Sequence, residues 1–580
     1  MIQYTIHRHA LFISGFLILM AGCKKKENLG EENPPPPPVD TTTVQPPVDP
    51  PLASTIGFFM NDWQPRNFVK PAATDTTLAA AGATTITINP SGVITKVPRS
   101  LFGNNTNPYM TQMVDQPVLL NHLTQLNPHI LRFPGGNLSS VFLWNTPKGQ
   151  IPAGVPDSLV NADGVKEKAG YWYGTNEEEW TLSVDNYYRM LGQTGNQGII
   201  TVNYGLARYG TGSNPVADAA HLAADWVRYD RGRTKYWEVG NESNGTWQAG
   251  YRIDVSKNKD GQPEKISGAL YGQHFKVFAD SMQKAAQEVG ATIYIGAQLM
   301  QEDPPSWAPA IDKEWNAKLF GQAGNRPDFY IIHSYYTPYN TNSNGAEILA
   351  SAVTETKKMM DWMHTTTSRG NVQMKPVALT EWNIFAVGSR QMVSHVSGMH
   401  AVLVLGELMK NKYGMASRWD LANGWDNGND HGLFAQADEP GVDRWNPRPA
   451  FYHMYFFQKM LGDRLVSSTH TNTALETYAS SFTSGEVGLT VVNKSTGSQS
   501  VQLAFRNFQP GSRVYWYTLT GGSDNGEFSR KVFVNGQGPS GVAGGPSHYA
   551  TLKPYSAAIT NGVRLTLPPR SVVCMVVERK

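Results

Sequence analysis

Two stretches of the chain carry glutamates in a setting suited to acid–base and nucleophilic work. One reads Tyr236-Trp237-Glu238-Val239-Gly240-Asn241-Glu242, the other Ala378-Leu379-Thr380-Glu381-Trp382-Asn383. Each is an apolar run of strand length that stops at a glutamate beside an amide or an indole. Two carboxylates held about 5–5.5 Å apart can cleave a glycosidic bond with retention, one protonating the leaving oxygen and the other attacking the anomeric carbon. Glu242 is the candidate acid/base and Glu381 the candidate nucleophile. Asn241 is placed to bond a hydroxyl next to the reacting carbon. His333 and Tyr335 follow the apolar run Phe329-Tyr330-Ile331-Ile332, and a tyrosine hydroxyl there can bond Glu381 and keep it ionised. Burial beside the charge of Glu381 is expected to raise the carboxyl of Glu242, as a general acid requires. Glu238, deeper in its strand, is expected to be the buried partner of a basic residue. Asp420 reads as a substrate-binding or structural residue.

Carboxylates at the C-terminal ends of strands are where a (β/α)8 barrel keeps its active site. The middle of the chain has that pattern. Apolar runs end near Gly103, Phe133, Asn203, Gly240, Gly296, Ile332, Leu379 and Trp419, with helical stretches such as Val216 to Tyr229, Ala269 to Glu288, Ala346 to His364 and Met392 to Met409. Eight strands alternating with helices predict a TIM barrel over residues 91–464, in which strands four and seven bring Glu242 and Glu381 together. A doubly wound sheet would call for a Gly-rich phosphate loop after its first strand, and the sequence has none there. From Leu465 the helical period stops and short strands separated by Gly, Ser and Asn turns predict a C-terminal β-sandwich over 465–580. Residues 55–90, with Thr85-Ile86-Thr87-Ile88, are expected to add strands to it.

The N-terminus reads as an export signal. The apolar stretch Ala10 to Gly22 ends Leu19-Met20-Ala21-Gly22-Cys23, which resembles a bacterial lipobox. Residues 1–22 are then the signal peptide and Cys23 is the lipidated first residue of the mature chain. A proline-rich segment, 23–54, holds the folded part away from a membrane. The implied location is an exported lipoprotein on a bacterial, outer, membrane. The other cysteine, Cys574, sits in an apolar run with no charged neighbour and reads as a buried strand residue. The 580 residues are 40% apolar and 17% charged with a net charge of +2, which gives no reason to expect a nucleic-acid partner. No Cys/His cluster has metal spacing, and the two-carboxylate chemistry needs no metal or organic cofactor. The run Asp426 to His431 misses calcium-loop spacing and reads as a polar loop.

With these motifs in place, the chain resembles the family 51 glycoside hydrolases, the α-L-arabinofuranosidases of clan A. Leu131-Arg132-Phe133-Pro134-Gly135-Gly136-Asn137 is similar to that family's segment after strand two. Tyr236 to Glu242, with Gly245-Thr246-Trp247-Gln248, is similar to its acid/base segment. His333-Ser334-Tyr335-Tyr336-Thr337 is similar to its strand-six motif, and Glu381-Trp382-Asn383 to its nucleophile motif. The resemblance implies Glu242 as acid/base, Glu381 as nucleophile, and Arg132, Asn137, Asn241 and Tyr335 as subsite or support residues. His333, Trp144, Trp247 and Trp382 join them as candidate substrate contacts. The family also carries a glutamate after strand one that holds the furanose ring, where this chain reads Phe102-Gly103-Asn104-Asn105-Thr106-Asn107. The loop from Leu138 to Asn145 resembles clan A endo-glucanases as well. The expected activity is therefore a retaining glycosidase acting on carbohydrate, first an α-L-arabinofuranosidase and second an endo-acting β-glycanase. An inactive carbohydrate-binding lipoprotein is the alternative class. Oligomeric state is not legible.

Overall fold

The computed structural model describes residues 45–339, 341–385 and 390–580. The expected signal peptide, Cys23 and most of the proline-rich segment lie outside them. Eight parallel strands close into a barrel in chain order: Gly103–Asn105, Ile130–Phe133, Gln197–Val202, Tyr236–Val239, Tyr294–Gln298, Phe329–Ser334, Val377–Trp382 and Met415–Arg418. They are numbered barrel strands one to eight below. Their residues are buried almost throughout, because a parallel barrel is covered inside by its own core and outside by helices. That double burial is why each strand reads as an unbroken apolar run.

The helices Pro215–Asp230, Gly268–Glu288, Gly345–Arg369 and His395–Lys410 follow strands three, four, six and seven. Each begins where an N-cap side chain takes up a free backbone N–H: Asn214, Ser267, Asn344 and Ser394 accept from residues one turn on,. Asn344 with Glu347 forms a reciprocal capping box,.

One irregularity matters for the site. Between strands six and seven the register runs Ile332 with Leu379, then His333 with Glu381. Thr380 is the extra residue of a bulge, which re-aims the side chains at the end of strand seven. Thr380 links strand seven to strands six and one, its hydroxyl 3.2 Å from His333 Nε2 and its carbonyl accepting from Asn105 Nδ2 at 3.0 Å.

The expected boundaries need two corrections at the N-terminal side. Residues 45–54 are tied to the fold: Asp49 pairs with Arg464 at 2.6 Å and Lys96 at 3.1 Å. The segment after Thr55 does not begin in the sandwich. The 3-10 turn Gly57–Met60 closes the bottom of the barrel, with Phe58 stacked on Tyr294 at 3.8 Å and Phe59 packed on Tyr236 and Phe329. These aromatic rings plug the end opposite the glutamates, where the barrel would otherwise expose its apolar interior.

The sandwich is built from both ends of the chain. Thr84–Lys96 lies between Arg464–Thr469 and Gln499–Phe505, antiparallel to the first and parallel to the second. Ile86, Ile88, Val466, Val501, Val514 and Met575 share one core. The last strand, Ser571–Arg579, is buried on both faces. Val573, Met575 and Val577 point into the sandwich, while Val572, Cys574 and Val576 join the main core with the barrel helices. Strand alternation sorts them. The Cys574 thiol is buried and pushed up to about 12 by that burial, so it is inert. Residues 465–580 expressed alone are expected to be insoluble. They lack the inserted strand and leave the Val572-Cys574-Val576 face bare. A soluble, cooperatively melting fragment by circular dichroism would refute that.

Candidate active site

Arg132 is the centre around which the site is arranged. It projects from strand two, is fully buried, and uses four hydrogen bonds to hold four groups. Its Nε donates to Glu238 Oε2 at 2.6 Å and its Nη2 to Asn241 Oδ1 at 2.8 Å. Its Nη1 donates to Asn105 Oδ1 at 3.0 Å and to Glu381 Oε2 at 3.2 Å. Glu238 also accepts from Thr201 at 2.6 Å. Glu238 is thus the buried ion-pair partner expected on strand four. Arg132 has no exposed atom to offer a ligand, so its expected substrate contact is corrected: it positions the machinery from beneath.

Pro134-Gly135-Gly136, which follows Arg132, turns the chain away beneath Trp419. Both glycines have positive φ, 67° and 58°, and a Cβ on Gly136 would lie 2.4 Å from the Trp419 ring. No other residue fits there.

Glu242 follows strand four in a tight turn, with its own backbone in the left-handed region at φ 41°, a strained conformation of the kind found at functional sites. The turn is held by Gln298 of strand five, whose Oε1 accepts from Ser243 N at 2.6 Å and whose Nε2 donates to Asn244 at 2.6 Å. The Glu242 carboxylate meets His333 Nδ1 at 3.0 Å and accepts from Trp247 Nε1 at 2.8 Å. Glu381, at the end of strand seven, accepts from Tyr335 Oη at 2.6 Å as well as from Arg132. His333 Nδ1 lies 3.7 Å from Glu381 Oε2, so it stands between the two carboxylates. One carboxylate oxygen of each glutamate and His333 Nδ1 lie within 4.8 Å of one another. A cation also accepts that spacing. The Arg132 guanidinium already supplies a fixed positive charge at Glu381, so the donor set suits an acid–nucleophile pair better.

The expected order of the two carboxyls is reversed in the free site. Burial pushes the Glu381 carboxyl up, aided by the charge of Glu242, and His333, Arg132 and the Tyr335 hydroxyl only partly offset this. Burial works on Glu242 too, but the His333 hydrogen bond and charge, with Trp247 and Arg132, hold it below the usual range. Two differences account for the reversal. The Glu381 side chain is 6% exposed against 23% for Glu242, and the imidazole bonds Glu242 directly. Removing the imidazole therefore leaves burial unopposed at Glu242. His333→Ala is expected to move the alkaline limb of the kcat/KM profile, which reports the protonated acid of the free enzyme, to higher pH. A profile unmoved by the change would refute the assignment.

The structure brings Arg132, Asn241, Glu242, His333, Tyr335, Trp247 and Glu381 together. Asn241 keeps its amide N–H group without a partner among the described residues, and Trp247 is 62% exposed beside Glu242. Two expectations fail, and a third residue stands apart from the group. Trp144 is buried against Trp226, stacked at 5.5 Å, with its indole N–H on the Leu222 carbonyl. Trp382 is wholly buried, since the residue after Glu381 points to the opposite face of the strand. Asn137 is exposed at the start of a 3-10 turn and hydrogen-bonds none of the group. Asn383 ties strand seven to strand eight through the Trp419 carbonyl at 2.5 Å. Residues not singled out include Asn105, Asn107 and Tyr109 after strand one. Asn107 Nδ2 and Tyr109 Oη both donate to Asp420 Oδ2 at 2.8 Å. Tyr109 continues through Trp172, 6.4 Å away, to the half-exposed Trp180, a row of rings leading outward. The polar loop from Asp426 closes on protein partners, with Asp430 against Arg448 at 2.5 Å.

Fold and site together resemble those of the clan A glycoside hydrolases. Within that clan the chain resembles the family 51 α-L-arabinofuranosidases. Residues 122–346 match the model of the alpha-L-arabinofuranosidase 1 domain, a span that contains Arg132, Glu242 and His333 and ends before Glu381. An intracellular exo-alpha-(1->5)-L-arabinofuranosidase of Bifidobacterium longum is 22% identical over 284 residues, 46% of this chain and 44% of that protein. The match thus spans less than half of the relative's length. The α-L-arabinofuranosidase of Thermotoga maritima shares the fold with a TM-score of 0.58 at 18% identity, over 86% of this chain and all of the other. A Paenibacillus polymyxa xyloglucanase of glycoside hydrolase family 44 shares it with a TM-score of 0.54 at 12% identity, over 86% of this chain and all of that one.

Proposed function

We propose that the protein is a retaining glycoside hydrolase that releases α-L-arabinofuranosyl groups from carbohydrate. The observation that carries the reading is that one oxygen of the Glu242 carboxylate lies within 4.8 Å of one oxygen of the Glu381 carboxylate, an approach that suits the 5–5.5 Å or so of a retaining pair better than the 6.5–9.5 Å or so that gives an inverting enzyme room for its water. Glu381, aimed by Arg132 and Tyr335, attacks the anomeric carbon. Glu242 protonates the leaving oxygen, then activates the water that frees the sugar. The two carboxyls titrate as a pair. As positive charge develops on the sugar ring beside Glu381, that charge favours an ionised Glu381 and leaves the shared proton on Glu242, where departure needs it. Trp247, exposed and bonded to Glu242, offers its face to the leaving group.

The test is hydrolysis of 4-nitrophenyl α-L-arabinofuranoside followed by NMR. The α-anomer of arabinose is expected as the first product. A first-formed β-anomer would overturn retention. No release from any arabinoside, with cleavage inside a β-glucan, would favour an endo-acting β-glycanase. That second reading is supported by aromatic rings on two sides of the pair, Trp247 on one and the Tyr109-Trp172-Trp180 row on the other. Export with lipidation at Cys23 is also a proposal. It expects labelled palmitate in the wild-type chain and none after Cys23→Ser.

A further inference from the structure

An open cavity of about 480 Å³ lies at the base of the barrel. Its walls come from residues 64–66, from residues 97–102 ahead of strand one, from the turn that leads out of the helix Pro117–Leu126 into strand two, and from the end of the helix Pro449–Met460. It sits where the chain enters strands one and two, the end of the barrel opposite Glu242 and Glu381.

The charges around it do not balance. Arg66, Arg99 and Lys459 line it, against the single carboxylate of Asp463. Asp463 is already engaged: it accepts from the Arg66 backbone N–H at 2.5 Å, from Thr483 Oγ1 at 2.6 Å and from Arg464 Nη1 at 2.8 Å. The Arg66 guanidinium is engaged too. It donates to the carbonyls of Gln458 at 2.5 Å, Leu461 at 2.6 Å and Lys459 at 3.0 Å, and so caps the helix end,. Arg99 and Lys459 are left over. Arg99 makes no hydrogen bond or ion pair among the described residues. Lys459 Nζ has the Tyr455 hydroxyl at 3.3 Å and the ring faces of Tyr455 and Tyr517 at 5.2 and 5.7 Å, but no carboxylate among the described residues. Burial lowers its amine accordingly. Helix capping accounts for Arg66 and not for these two, which bond no carbonyl. A cation drawn out of water normally keeps an acid beside it, and here two face one cavity without one.

The rest of the lining says what kind of anion fits. The side-chain amides of Gln64, Gln125 and Asn127 bond nothing among the described residues. Each offers a donor and an acceptor, which is what a hydroxyl needs. Phe102 and Tyr455 add ring surface for the apolar face of a sugar,. The volume lies within the range of small-molecule pockets, about 300–1,000 Å³. We propose that this cavity is a second, non-catalytic site that binds an acidic sugar, its carboxylate or phosphate held by Arg99 and Lys459 and its hydroxyls by the three amides. His129 lines the same cavity with its ring Nδ1 unpartnered. Burial and the Arg99 charge hold its ring down to about 4, so it adds no third charge, and the site suits an anion of one or two charges.

The test is isothermal titration calorimetry of the full chain with D-glucuronate and D-glucose 6-phosphate, against D-glucose and inorganic phosphate, near neutral pH and at low salt. At least one of the two acids is expected to bind at one site per chain, about tenfold or more tighter than glucose and inorganic phosphate. The tighter of the two names the anionic group. Excess L-arabinose is expected to leave that binding unchanged. Arg99→Gln and Lys459→Gln are each expected to weaken it about tenfold or more, with the melting transition kept. If one variant fails to melt cooperatively, the other decides. Failure of both acids to saturate, affinity no better than that of glucose or inorganic phosphate, displacement by L-arabinose, or unchanged affinity in a folded variant each overturns the proposal.

Discussion

Glu381→Ala is expected to lower kcat by about 10⁴-fold or more on every substrate, because the covalent step has no other nucleophile. Glu242→Ala is expected to behave differently. On a polysaccharide, whose leaving group needs a proton, it loses about 10²–10⁴-fold. On a 4-nitrophenyl glycoside, whose leaving group departs unaided, formation of the glycosyl-enzyme is spared and hydrolysis of that intermediate becomes slow. Azide separates the two roles. In Glu242→Ala it replaces the activated water and yields a glycosyl azide of retained configuration. In Glu381→Ala it enters the emptied face and yields the inverted azide. Kinetics on the two substrate types, with NMR of the azide products, check both assignments. The same azide stereochemistry from both variants would sink them.

Arg132→Met is expected to cost about 3–5 kcal/mol of stability, measured by urea unfolding. The guanidinium is fully buried and neutralises Glu238, which has Thr201 as its other hydrogen-bond partner. Removing it strands a buried carboxylate. The double variant Arg132→Met/Glu238→Gln is expected to recover most of the stability, since both charges go together. Activity does not return, because Asn241 and Glu381 have lost the fork that aims them. Arg132 also lowers Glu381, so its loss raises that carboxyl further and moves the acid limb of the pH profile upward. Unchanged stability in the single variant would refute the role.

The barrel was legible because each strand is buried on both sides and so reads as a continuous apolar run. The meeting of Glu242 and Glu381, the proposed pair, was legible because their motifs fall at the ends of those runs. Other features depended on contacts between distant residues. The helix Pro449–Met460 is buried nearly all round, so it carries no amphipathic period. The Phe58–Phe59 plug depends on barrel closure. So does the meeting of Asn107 with Asp420, since strands one and eight become neighbours only when the barrel shuts. Trp144 and Trp382 were misplaced because an indole in a motif looks the same whether its ring faces a cleft or a core. The order of the two carboxyls turned on which of them the imidazole bonds, a difference between 3.0 Å and 3.7 Å.

The strand Thr84–Lys96 leaves the ribosome before the barrel, yet its neighbours in the sandwich follow the barrel. During synthesis its apolar residues must wait, unpaired, while most of the chain is made. The barrel can close in the meantime, but the sandwich cannot start until the last segments arrive. Chains truncated anywhere in the C-terminal part therefore keep an orphan edge that seeks a partner. Thr84–Lys96 and the strands that flank it lock together only once both have been made, so completion of the sandwich reports that synthesis has passed the barrel.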